Sequence, residues 1–287
     1  MRVFVTGWNG LLGRSLVPRL MAQHSVDGFG VEDGDVADPA FVRDRFLHFR
    51  PETVLHLAAW TAVDACESDP DRAFRVNATG SRVVAEEASR AGASVVAIST
   101  DYVFGGEQTR PYVEDDAPNP KSVYGKSKLK GEAEVRKIAR WAILRTAWLY
   151  GPGGRNFVDT ILAGMDERGT VEVVDDQVGS PTSADDLSLA ILTLLDARAE
   201  GLYHVANTGR ASWFDLAREA ARLTGRAPER IRPASTDQVP RAARRPAYSV
   251  LDCGRVADRY GLELRPWQEA LAAYLEEKAG SVQGDMR

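Results

Sequence analysis

Tyr124 and Lys128 stand four residues apart in Val123-Tyr124-Gly125-Lys126-Ser127-Lys128. On a helix that spacing puts both side chains on one face, with an ammonium beside a phenol. A free phenol has a pKa near ~10, and a nearby positive charge favours its ionised form. A tyrosine tuned in this way can pass a proton to a carbonyl oxygen at neutral pH. Upstream, Ser99-Thr100-Asp101 follows the apolar run Val95-Val96-Ala97-Ile98. Thr100 therefore falls at a strand end, where its hydroxyl can hold a carbonyl in line. A third element, Gly7-Trp8-Asn9-Gly10-Leu11-Leu12-Gly13, follows the short apolar run Val3-Phe4-Val5. Glycines at a strand-to-helix turn let backbone approach a pyrophosphate, whose charge the helix N-terminus favours. In this order the three features point to carbonyl reduction with a nicotinamide cofactor. The glycine spacing is G-x-x-G-x-x-G, not the commoner G-x-G-x-x-G, and a turn that is glycine-rich for packing alone would read the same.

Residues so far apart in sequence need a scaffold that gathers them. Apolar periodicity predicts strands at Val3–Thr6, Val54–Ala58, Val95–Ser99 and Ala142–Arg145. Between them it predicts helices at Leu11–Met21, around Asp71–Gly92 and at Ser122–Ala139. Such alternation implies an α/β fold with a doubly wound, Rossmann-like parallel sheet. Pro18 lies inside the first helix and is expected to kink it. After Gly151-Pro152-Gly153-Gly154 the pattern changes. Helices are expected at about Asn156–Arg168, Ser183–Asp196, Ser212–Thr224 and Trp267–Lys278, with strands at Val171–Val174 and Leu202–Ala206. The polar tail from Gly280 is expected to fray. We expect a dinucleotide-binding domain over residues 1–150 plus about 180–206, and a smaller α/β substrate domain over about 151–179 plus 207–287.

Composition narrows the classes. The chain has 287 residues, 44% hydrophobic and 27% charged, with a net charge of −5. No global basic field draws it to nucleic acid or an anionic membrane. No apolar run reaches the ~20 residues of a membrane helix, and the N-terminus reads as a strand, not a signal. A cytoplasmic protein is expected. Cys66, Cys253 and four scattered histidines have no metal-ligand spacing, so no metal site is expected. His56, between Leu55 and Leu57, reads as a core histidine. Val26–Asp38, taken as the second-strand region, carries Asp27, Glu32, Asp33, Asp35 and Asp38 with no Lys or Arg before Arg43. Acids there suit the ribose hydroxyls of NADH, although a solvated acidic loop has the same composition. Arg230, Arg232, Arg241, Arg244 and Arg245 form an arginine-rich stretch, either phosphate-binding or a solvated basic loop. Leu271 and Leu275, on the last helix, fit either core or an interface such as a homodimer.

Taken together these motifs resemble extended short-chain dehydrogenase/reductases. Thr61-Ala62-Val63-Asp64-Ala65-Cys66-Glu67, Ser99-Thr100-Asp101-Tyr102-Val103-Phe104, Arg145-Thr146-Ala147-Trp148-Leu149-Tyr150, Gly179-Ser180-Pro181-Thr182 and Arg245-Pro246 followed by Ser249 resemble the dTDP-4-dehydrorhamnose reductase family. The resemblance implies reduction of the 4-keto group of a nucleotide-linked 6-deoxyhexulose, with NADH or NADPH. It implies Thr100, Tyr124 and Lys128 as the catalytic set, with Tyr124 as proton donor. Around the cofactor it implies Gly7, Asn9, Gly10, Leu11, Leu12 and Gly13, then Asp35 and Val36, then Ala58, Ala59, Thr61 and Asn77, with Tyr124 and Lys128. Near the sugar nucleotide it implies Tyr102, Trp148 and Arg245. His56 and Tyr248 depart from the family pattern, as does the acidity of the second-strand region. Two alternatives share the scaffold: another nucleotide-sugar 4-ketoreductase or epimerase, and a non-catalytic regulatory subunit of methionine adenosyltransferase.

Overall fold

The computed structural model describes residues 1–284. The first half runs β1 (Arg2–Thr6), α1 (Leu11–Met21), β2 (Ser25–Phe29), α2 (Pro39–Phe49), β3 (Thr53–His56), α3 (Val63–Ser68), α4 (Pro70–Phe74), α5 (Gly80–Arg90), β4 (Ser94–Thr100), α6 (Val123–Val135) and β5 (Trp141–Thr146). The second half adds β6 (Leu149–Tyr150), α7 (Phe157–Arg168), β7 (Val171–Val174), β8 (Val178–Gly179), β9 (Thr182–Ser183), α8 (Ala184–Asp196), β10 (Gly201–His204), β11 (Ala211–Ser212), α9 (Trp213–Leu223), β12 (Ile231–Ala234), α10 (Gly254–Tyr260) and α11 (Trp267–Gly284).

Six strands form one parallel sheet in the order β10-β5-β4-β3-β1-β2. Alternate side chains of a strand face opposite layers, and both layers here are apolar. Val3 and Val5 join Leu16, Leu20, Leu187 and Ile191 beneath α1 and α8. Phe4, Val54 and Val95 join Phe46, Val83 and Val84 beneath α2 and α5. β2 and β3 lie on opposite sides of β1, which opens a crevice at the carboxyl ends of the strands. The expected doubly wound sheet is therefore present.

α1 runs through Pro18, with Leu16 and Leu20 buried on either side of it. Three local expectations change. The second strand ends at Phe29, not Asp38. Asp38 is the N-cap of α2, a helix that the periodicity did not reveal, and accepts from the Ala40 N–H at 2.9 Å. The helix expected over Asp71–Gly92 is divided by a π-helical turn at Arg75–Thr79, which carries Asn77. The last helix continues past Lys278 to Gly284; the rest of the tail lies outside the described residues.

The other elements pair in short two-stranded pieces, β11 with β8, β12 with β7 and β6 with β9. α7, α9 and α11 close over Tyr150, Leu216, Trp267 and Leu271. Leu271 and Leu275 are thus core residues. Among the described residues no helix is long and apolar enough to cross a membrane.

Candidate active site

The glycine turn sits at the carboxyl end of β1. Gly7 has φ +73°, and a Cβ there would fall 2.7 Å from the Ala58 backbone nitrogen. A Cβ on Gly13 would fall 2.1 Å from the Trp8 carbonyl oxygen. Both glycines serve close packing. Gly10 differs: its Cβ would meet only the Gly7 carbonyl, at 3.2 Å. Gly10 is also the N-cap of α1, where no side chain accepts a hydrogen bond and no acid occupies the first turn. By contrast α2, α6, α7, α8 and α9 are capped by Asp38, Ser122, Asn156, Ser183 and Ser212. A helix N-terminus left with free N–H groups beside a glycine is an anion cradle, so the residues present fit a pyrophosphate.

The loop after β3 forms the next wall. Ala58, Ala59 and Trp60 are half-buried and Thr61 is exposed. Asn77, expected at the cofactor, is buried and fully engaged in holding this loop. Its Oδ1 accepts from the Trp60 N–H at 2.8 Å, and its Nδ2 donates to the Trp60 carbonyl at 3.1 Å and to Ser127 Oγ at 2.9 Å. Ser127 Oγ donates in turn to the Tyr124 carbonyl at 2.8 Å. The π turn therefore joins the β3 loop to the helix that carries Tyr124. His56 is a satisfied core histidine, as expected: its ring nitrogens lie 2.8 Å from Thr6 Oγ1 and 3.0 Å from Ser81 Oγ. Burial, and then the Lys128 charge, pull its pKa down to about 3, so it is neutral.

Thr100, Tyr124 and Lys128 come together as the spacing requires. All three are buried at the carboxyl end of β4 and the first turns of α6. The Thr100 hydroxyl lies near the Tyr124 phenol and donates to Asp101 Oδ1 at 3.0 Å. One expectation reverses. Burial pushes the Tyr124 phenol well above its usual range, with Thr100 acting the other way, and Lys128 is not among the groups that set it. Lys128 Nζ instead donates to the Ile98 carbonyl at 2.8 Å, because a buried ammonium takes the acceptor within reach. Burial pulls Lys128 down to about 8 against the opposing pull of Glu132. Tyr124 is thus held protonated at neutral pH, as a donor must be. Asp101 is also buried, which raises its carboxyl to about 6; Ser249 and Thr100 oppose this by hydrogen bonding. Ser249 Oγ donates to Asp101 Oδ2 at 2.6 Å.

Sequence reasoning missed the support beneath this set. Glu132, one helical turn beyond Lys128, accepts from Arg145 Nε and Nη2, both at 2.8 Å, and from Ser99 Oγ at 2.6 Å. One carboxylate thereby joins α6, β4 and β5. The available signal was position: Glu132 repeats the Tyr124–Lys128 spacing along the same helix face.

On the other side, Tyr102 meets Tyr124 edge to face with ring centroids 5.7 Å apart, and the Arg245 charge lies near its phenol. The Arg245 guanidinium, expected to face a pyrophosphate, donates from Nη1 and Nη2 to the two Asp64 carboxylate oxygens, both at 2.9 Å. Its fork is engaged, since a half-buried guanidinium needs a counter-charge, and its contact with the site runs through Tyr102. Trp148 has φ +49°. It stacks on Trp213 with centroids 3.5 Å apart, and a Cβ on Gly179 would fall 2.4 Å from its indole. It is half-buried and packs against the core formed by α7, α9 and α11.

The acidic run proves largely structural. Asp27 takes Arg45, Asp33 takes the Gly30 N–H and Glu32 takes Asn9. Asp35 accepts from the Ala37 N–H at 2.8 Å and pairs with Arg75. Val36 packs against Gly80.

The RmlD substrate binding domain model matches residues 1–279. The chain is 43% identical to a dTDP-4-dehydrorhamnose reductase of Streptomyces griseus, over 94% of this chain and 91% of that one. It is 40% identical to the spore coat polysaccharide biosynthesis protein SpsK of Bacillus subtilis, over 98% and 99%. A crystal structure of dTDP-4-dehydrorhamnose reductase from Bacillus anthracis in complex with NADP superimposes with a TM-score of 0.92 at 37% identity, over 96% and 99%. By the family model over residues 1–279 and by relatives of about this length at 37–43% identity, the chain belongs to the dTDP-4-dehydrorhamnose reductase family.

Proposed function

We propose that this protein reduces the 4-keto group of dTDP-4-dehydrorhamnose to give dTDP-L-rhamnose. The observation that carries the reading is the buried Thr100–Tyr124–Lys128 set together with the glycine turn that opens α1, whose N-terminus has no side-chain cap. A nicotinamide cofactor, when bound, supplies the hydride. The turn from Gly7 to Gly13, with Asn9, Leu11 and Leu12, would hold its pyrophosphate through backbone N–H groups. Asp35 and Val36 would meet the adenosine, and Ala58, Ala59 and Thr61 would line the channel towards Lys128. Thr100 holds the carbonyl oxygen by a hydrogen bond. Tyr124 gives its phenolic proton to that oxygen as negative charge develops there. Lys128, on the same helix face with its ammonium on the Ile98 carbonyl, would reach the ribose of the bound nicotinamide.

Residues 1–150 with about 180–206 would form the cofactor domain, and the remainder the sugar-nucleotide domain, with Tyr102 and Trp148 lining the cleft and Arg245 acting through Tyr102. The Asp35–Arg75 pair supports use of both cofactors: the carboxylate suits a free ribose hydroxyl, and the guanidinium suits a 2′-phosphate. The test is turnover of dTDP-4-dehydrorhamnose with NADH and NADPH supplied separately. Oxidation of both, with dTDP-L-rhamnose as product, is expected. Tight cofactor binding without turnover of this sugar would sink the assignment.

A further inference from the structure

The amino ends of the strands, on the opposite rim from the reaction centre, enclose a cavity of about 860 Å³. This is the size of a small-molecule site, typically ~300–1,000 Å³. Six arginines line it: Arg2, Arg43, Arg50, Arg90, Arg140 and Arg198. Only three carboxylates do so, Glu52, Glu87 and Glu200, in a chain whose net charge is −5. Arg43 and Arg90 share Glu87, Arg2 lies 3.8 Å from Glu52, and Arg140 bonds the Gly92 carbonyl. Among the described residues, the Arg50 and Arg198 side chains make no hydrogen bond or salt bridge; Arg198 acts on Glu52 only through space.

These two arginines are also the unusual ones in backbone conformation. α5, α7, α9 and α10 are followed by left-handed glycines, Gly92, Gly169, Gly225 and Gly261, with φ between +64° and +75°. At the ends of α2 and α8 the left-handed residue is Arg50 (φ +55°) and Arg198 (φ +49°). Glycine would take that conformation without steric cost. Attraction between a cation and the helix C-terminus does not require it, since an arginine in the last right-handed turn, such as Arg19 in α1, gives the same effect. Residues held in such conformations mark sites where the side chain matters. Apart from Thr53 and Ser94 the remaining side chains of the wall are apolar, with Phe46, Leu47, Trp141 and Leu194, and Leu47 is 68% exposed.

We infer that this cavity is a second ligand site, separate from the catalytic cleft, which takes a nucleoside polyphosphate. The arginines would hold the phosphates, with Arg50 and Arg198 as the free guanidinium forks. The apolar wall would take the base.

The test uses the whole protein with its catalytic cleft filled by NADP and dTDP. Inorganic tripolyphosphate and ATP are each titrated by calorimetry into wild type and an Arg50→Gly/Arg198→Gly double variant. One further equivalent per chain is expected, with ATP binding more tightly than tripolyphosphate. The double variant should weaken both at least tenfold while its melting temperature stays level or rises, because glycine relieves the backbone. Absence of the extra equivalent, or equal affinity in the double variant, would overturn the site. ATP no tighter than tripolyphosphate would overturn the nucleoside assignment.

Discussion

The same bidentate pairing of arginine with carboxylate occurs twice around the reaction centre, in two different media. Below Lys128, Arg145 and Glu132 are 1% and 2% exposed, and the pair ties α6 to the sheet. Beside Tyr102, Arg245 and Asp64 are 17% and 37% exposed and join segments 181 residues apart. Charge pairs strengthen as water is excluded, and breaking a buried pair strands a charge. A half-exposed pair is screened and exchanges with water at low cost. The buried pair is therefore a fixed floor that sets the geometry of the chemistry. The exposed pair is a clasp that shapes the substrate side and can yield to it.

If that division holds, substitutions on the two sides should separate in their kinetics. The largest effect is expected at the floor's reacting group: Tyr124→Phe should lower kcat by about 10²–10⁴-fold in steady-state assays. A change confined to KM would move Tyr124 to the clasp. Next, Glu132→Ala should destabilise the fold by about 3–5 kcal/mol in urea denaturation, leaving Arg145 as a buried unpaired charge. A loss of only a few tenths would show that the floor is not sealed. The third effect is on pH. Lys128, pulled down to about 8, is an ammonium below that value and neutral above it. kcat/KM should therefore fall as pH rises through about 8. Glu132→Gln removes the charge that supports the ammonium and should shift that limb to lower pH; an unmoved limb would sever Glu132 from Lys128. Smallest is Asp64→Asn, expected to raise the substrate KM by about fivefold with kcat nearly unchanged, roughly 1 kcal/mol. An equal loss in kcat would make the clasp part of the floor.

What was legible in the sequence follows the same division. Tyr124 and Lys128 are linked by helical spacing, and Thr100 lies at the end of an apolar run; both are local signals. The parallel sheet was legible for the same reason. Glu132–Arg145 and Asp64–Arg245 join separate elements, so neither carries a local pattern. The π turn was invisible because one wider turn hardly alters apolar periodicity. α2 was missed although Asp38-Pro39 is an N-cap followed by a first-turn proline. The acids before it were weighed for their charge, when most serve the backbone or an arginine. The Tyr124 phenol shows the limit of spacing arguments: four residues along a helix bring two side chains to one face, but burial and the Ile98 carbonyl decide where the ammonium points.

The most direct measurement is to supply dTDP-4-dehydrorhamnose with NADPH deuterated at the transferable position and to read the product by NMR. The account predicts dTDP-L-rhamnose with one deuterium at C4 and none elsewhere on the sugar. Product without deuterium, or deuterium at another carbon, would contradict hydride delivery to a carbonyl held between Thr100 and Tyr124.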